Sequence, residues 1–208
     1  MRHDNPKLQA GDGSASSFSI RGTTLLDQAT LTSAQGDVVF DLIENVPGSD
    51  PVRKFNRYIV EIEDWSPTDN AVTPLLQLGV AGVLRSGASD YQFSTSVFPS
   101  NAGESNSFSD TSPDIKMTRI VGTLKAGNNP NETLNYTVTI IPGNDANTLP
   151  FVWFTGAGIN DSGRLMGIKG FGVYRGTTSI DFGRTDHIRF AFESNTIAKG
   201  IFRLYGTE

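Results

Sequence analysis

Short segments in which apolar and polar residues alternate are the feature that most restricts the fold of this chain. In the segment RYIVEIEDW, Tyr58, Val60 and Ile62 fall on one side of an extended chain, and the acidic Glu61 and Glu63 fall on the other. This two-residue period is that of a half-buried β-strand. Roughly ten such segments follow one another, separated by turns rich in Gly, Pro and Asn. The pattern predicts an all-β fold, an antiparallel β-sandwich or jelly roll.

The chain ends on two apolar segments, HIRFAFES and NTIAKGIFRLYG. Chain ends are usually poorly ordered unless the fold holds them in place. We therefore expect the last strand to lie in the middle of a sheet, between strands from earlier in the chain. Phe202, Leu204 and Tyr205 are the predicted core residues of this closing strand.

The sequence divides into a polar arm and a strand-rich body. Residues 1–17 contain few apolar residues and the flexible run GDGSASS, so we expect an arm that becomes ordered on a partner. Arg2, His3, Asp4 and Lys7 are the candidate residues for anchoring this arm. Residues 18–208 are expected to form the sandwich.

Composition excludes several classes of function. The chain has 208 residues and no cysteine, which excludes disulfides, Cys-ligated zinc and thiol catalysis. The net charge is -5 and the Lys and Arg residues are scattered, so nucleic acid and anionic membranes are not expected partners. Since no run approaches ~18 apolar residues and the first residues lack a secretory signal, we expect synthesis in a cytoplasm without membrane insertion.

Side-chain patterns give little support for catalysis. The two histidines are His3, in the arm, and His187, at the start of a predicted strand. The sequence contains neither a nucleophile elbow nor a phosphate-binding loop. Glu61 and Glu63 would lie about 6.5 Å apart on one strand face, a separation that glycosidases use, but alternating acids are also typical of a solvated strand face. We predict no catalytic residue and no cofactor.

Loop oxygens and aromatic rings are the remaining candidates for ligand binding. The turns SPTDNA, GNDAN and NDSG carry the oxygen ligands that calcium prefers, but Asp and Asn are also ordinary turn residues, so we predict no metal site. Trp65 ends a strand beside SPTDN. With Asp69, Asn70 and Tyr91, it forms the candidate contact for a sugar or a receptor. Trp153, within PFVWF, is expected in the core.

Three stretches carry a resemblance to a known family: RYIVEIEDWSPTDNAVTPLLQLGVAG, SGASDYQFS and IRFAFESNTIAKGIFRLYG. Over residues 38–206 the sequence resembles a β-rich domain of bacteriophage virion proteins, which recurs in tail-fibre, tail-tip and other particle-surface proteins. SGASDY and the closing G-x-F-x-L-Y-G are its most specific elements. The residues before this range fall outside the resemblance, which leaves the position on the particle open.

The resemblance implies a structural role in the virion and transfers no catalytic residues. We therefore predict a non-enzymatic phage virion protein of the tail or fibre apparatus, with recognition of the host surface as an added role. The expected partners are other virion proteins, further copies of the chain (a trimer among the options) and host surface glycans. A capsid decoration protein on the head is one alternative, and a carbohydrate-binding module is another.

Overall fold

The computed structural model describes residues 19–20, 23–42, 55–80, 82–100, 103–118, 124–143, 148–176 and 185–207. Within these residues the chain forms fourteen strands and no helix. The first seven are β1 (Ser19–Ile20), β2 (Thr23–Leu31), β3 (Asp37–Asp41), β4 (Arg57–Pro67), β5 (Pro74–Val80), β6 (Val83–Leu84) and β7 (Tyr91–Pro99). The others are β8 (Ser105–Ser112), β9 (Ile115–Lys116), β10 (Leu134–Ile141), β11 (Phe151–Ile159), β12 (Leu165–Tyr174), β13 (Thr185–Phe192) and β14 (Ile197–Thr207). The candidate anchoring residues Arg2, His3, Asp4 and Lys7 lie outside the described residues.

The strands form two antiparallel sheets that pack against each other, so the predicted β-sandwich is confirmed. The larger sheet has nine strands in the order β1-β2-β14-β4-β10-β11-β12-β7-β8. The smaller sheet has the order β3-β13-β5-β6, and β9 also pairs with β5. Alternating side chains of the nine-stranded sheet point into the space between the sheets, as the two-residue period predicted, whereas every residue of β5 in the smaller sheet is buried.

The closing strand lies inside the nine-stranded sheet, as expected. β14 pairs with β2 on one side and with β4 on the other. Phe202 and Leu204 are fully buried between the sheets. Tyr205 is half-buried on the opposite face, so its assignment to the core was wrong. The reason is the strand period, which turns Tyr205 away from its two buried neighbours.

The centre of the core is aromatic and is shared by the two sheets. The Trp65 ring of β4 packs against Tyr136 and Phe202 of its own sheet, with centroids 5.9 and 5.7 Å away. Across the gap it meets Phe190 at 6.1 Å and Phe192 at 4.9 Å. Edge-on and tilted ring pairs of this kind stabilise a core beyond the area that they bury.

Buried tyrosines also hydrogen-bond from one sheet to main-chain groups on the opposite side of the core. The Tyr91 hydroxyl accepts a hydrogen bond from the Leu78 amide of β5 at 2.7 Å, and it lies 3.0 Å from the Leu78 carbonyl oxygen. Tyr136 donates to the Met117 carbonyl at 3.0 Å, and Tyr58 donates to the Leu42 carbonyl. These bonds satisfy polar groups that would otherwise be buried without a partner.

Glycines on the inner face of the large sheet make room for the largest rings. A Cβ atom at Gly170 of β12 would lie 2.3 Å from Cζ of Phe154 and 2.8 Å from the Ser94 carbonyl oxygen. At Gly156 of β11 it would lie 2.5 Å from Tyr136. The close approach of a ring to the backbone therefore requires glycine at these positions.

Candidate functional site: the outer face of the nine-stranded sheet

The outer face of the nine-stranded sheet carries the largest group of exposed apolar side chains. Among the described residues, nine large hydrophobic side chains are exposed. Six of them lie on the four neighbouring strands β11, β12, β7 and β8: Phe98, Phe108, Phe151, Trp153, Leu165 and Phe171. An exposed apolar patch of this kind marks an interaction site more often than a chance arrangement.

Strand register places part of this group in one line across the sheet. Trp153 of β11 pairs with Phe171 of β12, Phe171 pairs with Ser94 of β7, and Ser94 pairs with Phe108 of β8. In the other direction the line continues through Thr139, Ile59 and Tyr205. We call this line, from Tyr205 to Phe108, the aromatic row. Trp153, Phe171 and Phe108 are 44%, 55% and 78% exposed, so the row presents rings to solvent.

A second line of side chains, two residues along each strand, is polar. It runs from Arg203 through Glu61, Thr137, Thr155, Lys169 and Ser96 to Asn106, and we call it the charged row. Its charged residues lie at two places: Glu61 of β4 is paired with Arg203 of β14, whereas Lys169 is three strands away on β12. The Lys169 ammonium lies 4.8 Å from the centre of the Phe98 ring. At that distance a cation is attracted by the face of an aromatic ring.

Hydrogen bonds to β14 hold the carboxylates of Glu61 and Glu63 in place. Arg203 donates to the Glu63 carboxylate at 2.8 Å. This hydrogen bond raises the pKa of the Arg203 guanidinium, which therefore keeps its charge. Partial burial, together with a hydrogen bond to Glu61, raises the pKa of the Tyr205 hydroxyl. Glu61 and Glu63 thus both contact β14, the neighbouring strand of their own sheet.

A shallow depression of about 460 Å³ lies at this end of the face. Its lining residues are Glu61, Ile62, Glu63, Asn135, Tyr136, Thr137, Thr155 and Gly156. The depression is bounded by the carboxylate, amide and hydroxyl groups of Glu61, Glu63, Asn135, Thr137 and Thr155, and the exposed Trp153 lies two residues before Thr155 on β11. Such a combination can contact a polar molecule that also has an apolar surface.

Trp153 is exposed, and its prediction as a core residue was wrong. In the segment FVWF the side chains of Val152 and Phe154 point into the core, whereas Phe151 and Trp153 point outward. Their rings lie 6.0 Å apart at an interplanar angle of 24°. Since all four residues are apolar, the alternation of polarity that would identify the buried face is missing from this segment.

Trp65 is fully buried, and its prediction as a ligand contact was wrong. Strict alternation after Ile62 would place Trp65 outward, beside Glu61 and Glu63. Asp64, however, has a positive φ of 56°, and the register with β10 shifts between Ile62 and Trp65. This bulge adds one residue and turns the indole into the core.

Tyr91 is also fully buried, so the expectation that it contacts a ligand was wrong. Its hydroxyl accepts a hydrogen bond from the Leu78 amide of β5, and its ring lies 5.5 Å from that of Tyr174. Burial, the largest cause, raises the pKa of the Tyr91 hydroxyl far above its ordinary value, so the group stays protonated. The role of Tyr91 is to hold the two sheets together.

Asp69 and Asn70 are exposed in the loop after β4, whereas Trp65 and Tyr91, the aromatic residues of the predicted site, are fully buried, so the four do not form one exposed surface. The Asn70 amide lies 3.5 Å from the Asp161 carbonyl oxygen, which joins this loop to the turn between β11 and β12. Two of the turns considered for calcium therefore meet. Among the described residues, no group of three or more acidic or His side chains is arranged to hold a metal ion.

His187 occupies a structural position on the smaller sheet. Its Nδ1 lies 2.6 Å from Asp186 and its Nε2 lies 3.0 Å from Asp41. Asp186 in turn accepts a hydrogen bond from the Gly82 amide at 2.7 Å. Both ring nitrogens therefore face carboxylates of this chain rather than a site for substrate.

Across the parts of the chain that the structure describes, no membrane-crossing helix is found.

In comparisons with family models, curated proteins and solved structures, no match to this chain was found.

Proposed function

We propose that this protein is a non-enzymatic structural component of a bacteriophage particle, in the tail or fibre apparatus, and that it makes contacts through the outer face of its nine-stranded sheet. The observation that carries the proposal of a contact protein is the concentration of exposed aromatic rings on that broad face. The phage context rests on the sequence resemblance over residues 38–206.

The two most specific elements of the resemblance take part in the packing of the sandwich. In SGASDY, the Gly87 amide donates a hydrogen bond to the Asp90 carboxylate at 2.6 Å, and the Tyr91 hydroxyl is hydrogen-bonded to Leu78 of the opposite sheet. In the closing GIFRLYG, a Cβ atom at Gly206 would lie 2.3 Å from the Phe55 ring. Both elements are therefore explained by packing of the sandwich.

The test is the location of the protein in intact particles, determined by labelling with an antibody fragment and electron microscopy. We expect label on the tail or fibre. Label on the head lattice would instead support a capsid decoration protein. Particles without the protein would contradict a virion role altogether.

The polar arm is the proposed anchor to the particle, through Arg2, His3, Asp4 and Lys7. Deletion of residues 1–17 should give a folded protein that no longer enters particles. Normal incorporation of the shortened chain would contradict the anchor. Substitution of the four residues by serine keeps the length of the arm and removes its charged side chains. This variant therefore separates the contribution of charge from that of length.

Glycan binding is the second candidate function, and the exposed Trp153 beside the polar depression favours it. An aromatic ring next to hydroxyl and carboxylate groups is a typical surface for sugars. A glycan array should show binding that is lost in Trp153→Ala and kept in Val83→Ala, which removes an exposed apolar side chain from the other sheet. Equal binding by both variants would count against this candidate.

A further inference from the structure

We propose that two copies of this chain associate face to face through the outer surface of the nine-stranded sheet, around a two-fold axis that runs parallel to the strands between β10 and β11. This inference goes beyond the proposed function, since it concerns the purified chain and does not depend on where the protein is located. It is carried by exposed apolar area, by the size of the face and by the order of charges along the charged row.

Four of the six exposed side chains, Phe108, Phe151, Trp153 and Phe171, lie on the same side of the charged row and form one apolar patch. From their exposed fractions, which run from 41% to 78%, it amounts to roughly 450 Å². The largest apolar patch of an ordinary monomer is about 300–600 Å² and is often functional. Removing this patch from water against another protein surface is therefore favourable.

The face is also large enough for a stable dimer. Strands are spaced by about 4.8 Å, so the eight strands from β2 to β8 span about 34 Å. These strands have at least eight residues each, which corresponds to a height of about 26 Å. A standard protein interface buries about 800 Å² on each partner, and the face offers roughly 900 Å².

The charge order selects the second copy as occupant. Rotation about an axis parallel to the strands keeps each residue at its height along the strand and reverses the order of the strands. With the axis between β10 and β11, β12 of one copy lies opposite β4 of the other. Lys169 then faces Glu61 of the second copy, and the symmetry repeats this pair.

The same axis places two exposed rings of the aromatic row opposite side chains of β4 and β10 in the second copy. Phe171 of β12 faces Ile59 of β4 in the second copy, and Trp153 faces Thr139. An axis along β12 would instead place Lys169 opposite Lys169 of the second copy, which like-charge repulsion disfavours. Two packed sheets cross at about 30°. Residues that lie about 7 Å from the axis are thereby displaced by only about 4 Å relative to their partners in the second copy, and Lys and Glu side chains can span that distance.

The experiment is a charge exchange in the full chain, followed by sedimentation equilibrium over a range of protein concentrations. Wild type should form dimers. Lys169→Glu and Glu61→Lys should each weaken the dimer at least about tenfold, because each places two pairs of like charges in the interface. The double variant should restore the affinity to within about threefold of wild type, since it exchanges the partners of each pair.

Controls separate the interface from other effects. Arg164→Glu changes the same charge in the exposed turn between β11 and β12 and should leave the dimer unchanged. Phe171→Ser should weaken it without a charge change. All of these side chains are exposed, so the circular dichroism spectra should match that of wild type.

Three results would overturn the proposal: a wild-type chain that stays monomeric, a trimer, or single variants that dimerise as strongly as wild type. A double variant that remains as weak as the single variants would also overturn it, since the assigned axis pairs these two residues. None of these outcomes depends on the phage role, which is tested separately by the location in particles.

Discussion

Trp65 and Phe192 face each other across the gap between the two sheets, with ring centroids 4.9 Å apart. The second tryptophan of the chain, Trp153, lies on the opposite surface of the same nine-stranded sheet, where it is 44% exposed. One tryptophan thus holds the sandwich together, and the other is available to a partner.

Alanine substitutions of the two tryptophans should therefore differ strongly in stability. Trp65→Ala removes a fully buried side chain that contacts four aromatic rings, and we expect a loss of about 3–5 kcal/mol in the free energy of unfolding. Trp153→Ala should change it by less than about 0.5 kcal/mol, as for most surface substitutions. Urea denaturation of dilute protein, followed by circular dichroism, measures both. Similar losses in the two variants would contradict the assignment of faces.

The bulge that buries Trp65 explains why the sequence did not predict its role. The alternation from Tyr58 to Ile62 correctly predicted a half-buried strand. The extra residue at Asp64 reverses the faces beyond it, and only its backbone conformation reveals this. From the sequence, Trp65 ends a strand beside the polar turn SPTDN, a position that predicts an exposed ring.

Tyr91→Phe should destabilise the fold by about 1–3 kcal/mol, because it leaves the buried Leu78 amide without the hydroxyl that it contacts at 2.7 Å. Tyr205→Phe is the matched control: its hydroxyl lies on the half-exposed outer face, so the loss should stay within about 0.5 kcal/mol. Thermal unfolding measures the difference. Equal stability of the two variants would show that the bond to β5 contributes nothing.

Alkaline pH should destabilise the protein from about pH 10 upward. Burial raises the pKa values of Tyr91 and Tyr136 in the folded chain, whereas in the unfolded chain both ionise near pH 10. Above that pH the unfolded state therefore binds fewer protons than the folded state, and the stability falls as the pH rises. Urea midpoints between pH 8 and 11 measure the slope, which should be smaller in Tyr91→Phe. A midpoint independent of pH in this range would contradict the burial of these hydroxyls.

Two glycines of β12 should respond differently to alanine. At Gly170 the added Cβ would lie 2.3 Å from the Phe154 ring, and we expect a loss of about 1–3 kcal/mol. At Gly167, on the outer face, the nearest atom is 4.0 Å away, so alanine should be neutral or slightly stabilising. Chemical denaturation of both variants tests the packing of the inner face, and a neutral Gly170→Ala would contradict it.

The sequence predicted the class of fold and the central place of the closing strand, because both depend on the two-residue period and on apolar content. It did not predict the aromatic row, since that row joins side chains from strands far apart in the chain through their register. Trp153 and Phe171 become neighbours only when β11 and β12 pair. The apolar run FVWF also gave no sign of which of its faces is buried.

Quenching of tryptophan fluorescence by iodide in the wild-type chain tests most directly whether the outer face of the nine-stranded sheet is the contact surface. In dilute protein, iodide should quench the emission of the exposed Trp153 and leave that of the buried Trp65 unchanged. As the concentration rises into the range in which sedimentation shows the dimer, the quenchable fraction should fall towards zero, because the second copy covers Trp153. A quenchable fraction that stays constant while the dimer forms would contradict the account.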